Sequence, residues 1–295
     1  MRLHENAVLS NMLTTRFRNW RPVILITLYS LLLLGTIIVT MGFSSVVSGD
    51  TNLSGTSMYN TLVIFQFFLI VFIMPAMTAG LISGERERKT LDLLLCTQMT
   101  PLSIVLGKLL SGCMFMALCV VCSIPMITLA YLYGGISILS ILSIVACYLV
   151  TIVAIGSLGV FFSTIFKRTT AAVVVTYLAV FILGIVSTVG GYLQMALDAY
   201  MHNMQGNYVP AYPVFWIINP AMALFEIIGA GNGMSILGTL MSLAGQGQWP
   251  VMWGWELLTL VLFSALLIFL SSRILAPRKG WRTWKNGNGT GKTVR

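Results

Sequence analysis

Charge is scarce in this chain. Asp, Glu, Lys and Arg make up 8% of its 295 residues, where a soluble domain carries about 25%. So few charges cannot clothe a water-facing surface, which excludes an ordinary soluble globular domain. Histidine is scarcer still: His4 and His202 lie near opposite ends of the chain, which excludes a histidine-based metal centre. Cys96, Cys113, Cys119, Cys122 and Cys147 fall inside apolar runs or beside basic loops, so a disulfide framework is not expected. Cys119 and Cys122 have the spacing of a redox motif, but inside an apolar helix they read as packing. A cleavable signal peptide is not expected either, because about twenty polar and basic residues precede the first apolar run and no small-residue cleavage site follows it.

What the chain has instead is apolar length. Hydrophobic residues make up 57% of it, gathered at 23–41, 60–82, 102–133, 136–166, 170–194 and 251–276. A hydrocarbon core of about 30 Å is crossed by about 20 helical residues, a length each run meets or approaches. Six spans follow, in an all-α polytopic membrane protein. The basic residues then sort to one side. Arg2, Arg16, Arg18 and Arg21 precede the first span; Arg86, Arg88, Lys89 and Lys108 surround the second loop. Lys167 and Arg168 stand between spans four and five, and Arg273, Arg278, Lys279, Arg282, Lys285, Lys292 and Arg295 close the chain. The segments 42–59, 134–135 and 195–250 hold none. Lys and Arg resist translocation, so both termini and the loops 83–101 and 167–169 are expected in the cytoplasm, with the protein in a bacterial cytoplasmic (inner) membrane. The net charge of +9 belongs to that rim, facing anionic headgroups, and gives no reason to invoke nucleic acid.

One membrane domain is expected over 1–276, with a flexible basic tail over 277–295. Before the first span, Leu9, Met12, Leu13, Phe17 and Trp20 recur at helical spacing among polar residues. This predicts an N-terminal helix lying in the interface, with Pro22 in the first turn of span 1. Lys108, near the inner end of span 3, is expected to snorkel outward, and Pro125 to kink that span. Gly156, Gly159 and Gly184 mark faces where helices approach closely. Within 195–250, apolar pieces at 214–228 and 234–244 are each too short to cross a bilayer, and predict an outer re-entrant hairpin. Asp198, Glu226, Glu256 and Arg273 fall at or beyond span ends, with Glu226 and Glu256 read as solvated rim residues.

The loop after span 2 reads GLISGERERKTLDLLLCTQMTPLSIVLGKLL. Gly84 is the expected break after the span. Glu85 and Lys89 stand at i,i+4 in the order that favours a helical ion pair. Leu91, Leu94 and Leu95 make an apolar stripe, Glu87, Arg88 and Asp92 face elsewhere, and Thr100-Pro101 reads as an N-cap with proline in the next helix's first turn. A short amphipathic helix bearing dense mixed charge results; on the residues alone, a solvated loop with helical propensity stays open beside it.

The string resembles the signature of ABC-2 type transporter permeases, in which G-E-x-E-x-G-T-L-E-L-L-L is followed by a T-P-L-S stretch and then G-K-L. Gly84, Glu85, Glu87, Thr90, Leu91, Leu93, Leu94, Leu95, Thr100, Pro101, Leu102, Ser103, Gly107, Lys108 and Leu109 match; Asp92 replaces Glu, and Lys89 stands where glycine is usual. The resemblance implies a permease subunit, expected to export, paired with a second permease, the same or related, and driven by two ATPase subunits that carry the ATP and magnesium. This chain would bind no cofactor. Glu85, Arg86, Glu87, Arg88, Lys89, Thr90 and Asp92 would form the ATPase-facing contact of a coupling helix that Leu91, Leu94 and Leu95 anchor to the bundle. An apolar path with Ser and Thr suits peptides, lipids or amphipathic molecules. The tail sequence NGNGTGKTVR imitates a phosphate-binding loop at Gly291, Lys292 and Thr293, but Asn286 stands where the first glycine is required and no helix follows. An ion-coupled secondary transporter is the alternative, disfavoured because ionisable residues avoid the middle of the spans. An intramembrane enzyme lacks a nucleophile and base within them.

Overall fold

The computed structural model describes residues 20–47, 55–90, 100–134, 138–202, 213–232 and 253–275. Among these residues the regular structure is entirely helical. In chain order the helices are α1 (Trp20–Val47), α2 (Gly55–Thr78), the short α3 (Ser83–Glu87), α4 (Pro101–Gly134), α5 (Ile138–Ile165) and α6 (Thr169–His202). A 3₁₀ turn (Val214–Ile218), α7 (Pro220–Asn232) and α8 (Trp253–Leu275) complete them. Six helices, α1, α2, α4, α5, α6 and α8, are long and apolar enough to cross a membrane. The polytopic all-α architecture expected from the apolar runs is therefore present. The interfacial helix expected before Trp20, the tail beyond 276 and the second hairpin arm at 234–244 lie outside the described residues.

Helix α5 is the hub, packed against α2, α4, α6, α7 and α8. In lipid, helices gain nothing by hiding apolar surface from water, so association rests on close packing and internal hydrogen bonds. Both are visible on α5. A methyl group added at Gly156 would stand 2.7 Å from Met74 Cε, and one at Gly159 would stand 2.0 Å from Thr78 Oγ1, so α2 and α5 touch nearly backbone to backbone. Gly184, expected to share this role, instead faces open space on α6. Buried hydroxyls are satisfied locally: Thr78, Thr151, Ser157 and Thr176 each donate to a carbonyl three or four residues back in their own helix. This lets an apolar bundle carry many Ser and Thr residues, although the buried Ser271 hydroxyl has no such partner.

Proline and glycine act where the sequence places them. Pro22 falls in the first turn of α1, and Pro101 opens α4 behind Thr100, whose Oγ1 accepts the Ser103 N–H at 3.4 Å. Helix α4 runs on through Pro125. The break after the second span comes earlier than Gly84, because α2 stops at Thr78 and a turn containing Gly80 leads into α3. Gly84 itself lies inside α3, where Thr169 Cγ2 would be 3.4 Å from an added Cβ.

At the far end of the bundle, the first arm of the expected hairpin resolves into the 3₁₀ turn and α7. One side of this arm is buried, while Val214, Phe215 and Ile218 stay exposed. Trp216, Ala223 and Leu224 are sealed from the surface, and α7 packs against α5 and α8. Asn219 caps it: the side-chain oxygen accepts the Ala221 N–H at 3.0 Å, and Pro220 takes the first helical position.

Candidate functional site

The short helix after α2 is tied to its own bundle by nearly every polar group it has. Its first backbone donors, the N–H groups of Ile82 and Ser83, both reach Ser163 Oγ on α5 at 2.9 Å. Helix N-termini leave such donors unsatisfied, so one serine from the fourth span caps the elbow. Glu85 then forms an ion pair with Lys108 on α4. Arg86 donates from Nη1 to the Phe166 carbonyl at 3.4 Å, just past the end of α5. Glu87 accepts from the backbone N–H and the hydroxyl of Thr169, both at 2.9 Å, so its carboxylate caps the start of α6. Three spans and one interhelical loop are stitched to five residues.

This geometry corrects the sequence reading at several points. Glu85 does not pair with Lys89; its partner is Lys108, which is 3% exposed and does not snorkel. The i,i+4 pair fails because α3 ends before Lys89. Arg88 is the C-cap, its N–H bonding to the Gly84 carbonyl; Lys89 N–H bonds to the Arg86 carbonyl and Thr90 N–H to the Glu85 carbonyl. These last two bonds are the paired 5→2 and 6→1 contacts of a Schellman stop, which requires a left-handed residue. Lys89 is that residue, with φ 57°. Glu85, Arg86 and Glu87 each bond elsewhere in the chain, although Glu87 stays exposed; the Thr90 hydroxyl donates back to the Glu85 carbonyl at 3.2 Å, and the exposed Arg88 and Lys89 side chains are those turned outward. Leu91, Asp92, Leu94 and Leu95 lie outside the described residues.

A left-handed lysine is strained by roughly 1 kcal/mol relative to glycine. Lys89→Gly is therefore expected to raise thermal stability by up to about 1 kcal/mol, less the gain in unfolded-chain entropy. Fluorimetric melting in detergent checks this; a lower midpoint would show that the lysine side chain contributes more than its backbone costs.

The family model described as ABC-2 family transporter protein matches residues 13–274, nearly the whole chain. The chain belongs to that family. It is thus a multi-pass membrane subunit of an ABC transporter, and the family associates with ABC ATPase subunits. None of the curated proteins compared with the chain matches it. For this ABC-2 protein, the usual glycine that Lys89 replaces now has a physical reason: the position closes a helix in the left-handed region.

A second polar group sits inside the bundle. Gln66 on α2 is fully buried and donates to Ser123 Oγ on α4 at 2.6 Å. Tyr148 on α5 donates to the Val63 carbonyl at 2.8 Å, and Tyr29 and Tyr59 are buried beside them in the same core. No sequence signal marked these residues, because an isolated Gln or Tyr within an apolar run has no periodicity to betray which face it occupies. Glu256, read as a solvated rim residue, is also corrected. It stands in the first turn of α8, fully buried. Neither group carries the spacing of a known motif, whereas the elbow does.

Proposed function

We propose that this chain is the permease half of an ATP-driven exporter, in which the elbow 83–90 receives mechanical work from a separate ATPase. In this reading both termini and the elbow face the cytoplasm, two ATPase subunits and a second permease complete the assembly, and ATP and magnesium are handled by the partner. The reading is carried by one observation: a five-residue helix bonded to α4, α5 and α6 leads into a stop that leaves Arg88 and Lys89 exposed. A flexible loop would absorb a push, while a stitched elbow passes it on. Basic side chains at that tip suit an acidic recess on the ATPase, where complementary charge sets both docking and partner choice. Apolar spans with Ser and Thr interspersed would suit an amphipathic, peptide or lipid cargo.

The test separates partner contact from fold. The double variant Arg88→Glu/Lys89→Glu touches no intramolecular side-chain contact described above. It is expected to leave melting unchanged and to weaken permease-stimulated ATP hydrolysis by about tenfold or more, since like charges across an interface cost several kcal/mol. Undiminished stimulation by the doubly reversed protein would remove the elbow from the partner contact.

A further inference from the structure

We propose that α6 is a strut that transmits displacement of the elbow to the opposite end of the bundle, acting on the segment Val214–Asn232. The idea rests on the coupling role proposed above and adds the route. Helix α6 is fastened by specific contacts at its start and again over Thr188–Gln194, some 19 to 25 residues further along its Thr169–His202 length. At the near end, Glu87 holds the Thr169 N–H and hydroxyl, and Arg86 holds the loop just before it. At the far end, Asn219 Nδ2 donates to Thr188 Oγ1 at 2.9 Å, and Gln194 Oε1 accepts the Val214 N–H at 3.1 Å. Trp216 lies so close over Gly191 that an added Cβ would fall 1.9 Å from its Nε1, and its ring meets Tyr192 edge-on at 5.3 Å. Thr169 and Thr188 are separated by 19 residues of one continuous helix without proline, about 28 Å at 1.5 Å per residue.

The far attachment reaches further than the 3₁₀ turn. Asn219 uses its amide nitrogen on Thr188 and its oxygen to cap α7, so one side chain joins α6 to the start of a buried helix. Thr259 on α8 also donates to the Ile217 carbonyl at 2.7 Å, placing the same turn against the last span. Helix α5 also spans this distance, but it packs against α2, α4, α6, α7 and α8 and is buried along most of Thr151–Thr164, so a shift there would disturb the core. Helix α6 is peripheral, with Leu178, Phe181, Ile182, Ile185 and Val189 all more than a third exposed. A rod with one packed face can slide by shear while keeping its end contacts, and such sliding is a known way for packed helices to move.

Amide hydrogen exchange in the purified full-length permease tests the strut without any ATPase. Thr169→Val removes the hydroxyl half of the near contact and keeps the backbone half; Glu87→Gln weakens both while keeping the shape. Both variants are expected to speed exchange within Val214–Asn232 by about threefold or more, beyond any change beside the substitution. Acceleration confined to residues near the elbow and the start of α6 would overturn the proposal. Thr188→Val, which cuts the far contact directly, calibrates the size of the response. In the complex with its ATPase, a cysteine introduced as Phe215→Cys reports the same end through its rate of labelling by an impermeant maleimide, with the unsubstituted protein as blank. Trapping nucleotide should change that rate about threefold in the parent and not in Thr169→Val. A parent whose labelling ignores nucleotide while ATP hydrolysis is stimulated overturns the strut and leaves the elbow contact standing. Absence of stimulation in the parent refutes the elbow contact instead, and the exchange result then decides the strut by itself.

Discussion

Gly159→Ala is expected to be among the most damaging single-methyl additions in this protein. The new Cβ would stand 2.0 Å from Thr78 Oγ1, 2.9 Å from Thr78 Cβ and 3.2 Å from the Ala79 backbone nitrogen. Two of these three are on or next to backbone, so no rotamer change makes room and α2 must move away from α5. Overpacking of this kind costs about 1–3 kcal/mol, partly offset by the roughly 1 kcal/mol that alanine gains over glycine in a helix. The displaced segment is the last turn of α2, which leads straight into the elbow, so stimulated ATP hydrolysis should fall along with the melting midpoint. Thr78→Ala removes the nearest atom but leaves the Cβ, and should restore part of the stability of Gly159→Ala. Gly184→Ala is the control: nothing lies within 4 Å of the added methyl, and the substitution should be neutral or stabilising. A Gly159→Ala protein as stable as its parent, or one that Thr78→Ala fails to improve, would mean the contact between α2 and α5 is looser than described.

The spans were legible because their signal is one of length and composition, and neither depends on long-range contacts. The same holds for Thr100-Pro101, where cap and proline act within four residues. The elbow was legible as a place, while the partners of its charged residues within the chain were not. The run Glu85, Arg86, Glu87, Arg88, Lys89 was assigned to the ATPase-facing contact by the family resemblance, with Glu85 paired to Lys89 by spacing. Three of the five have partners 23 to 82 residues away, at Lys108, Phe166 and Thr169. Spacing rules see neighbours at three and four residues and cannot see these. Lys89 carried a usable clue: a position where glycine is usual, just after a short helix, is a candidate left-handed stop. Treated as such, it would have ended the helix at Arg88 and ruled out the pair between Glu85 and Lys89.

The far end was harder for a different reason. The apolar piece at 214–228 was read as one arm of an outer re-entrant hairpin because it is too short to cross a bilayer, but length does not say what it packs against. Burial of α7 depends on the room left among α2, α5 and α8, a tertiary property. Glu256 was placed at the rim by its position near the end of a span, yet its side chain is buried while the adjacent Trp255 is exposed. Gln66 shows the complementary case, a polar residue deep in an apolar run whose partner on α4 lies 57 positions away.

Glu85→Ala is the second large effect, and its size follows from what it leaves behind. Lys108 is 3% exposed, so removing its carboxylate partner strands an ammonium group among apolar helices. Breaking a buried pair by deleting one member costs about 3–5 kcal/mol, while replacing both members with apolar residues of similar volume is often close to neutral. Glu85 is more open than Lys108, with about a quarter of its side chain exposed, so the lower end of that range is expected. The signature is a pattern across three proteins, read as melting midpoint and yield of monodisperse material. Glu85→Ala should be poor and Glu85→Leu/Lys108→Met should approach the parent. Lys108→Met should fall between them, because the carboxylate left behind can reach solvent. A single Glu85→Ala variant melting with the parent would show that Lys108 finds water or another acceptor. The apolar double variant has a further use. It keeps the helices together without the ion pair, so any loss of stimulated ATP hydrolysis in it measures what the charge contributes to holding the elbow's angle rather than to holding the fold.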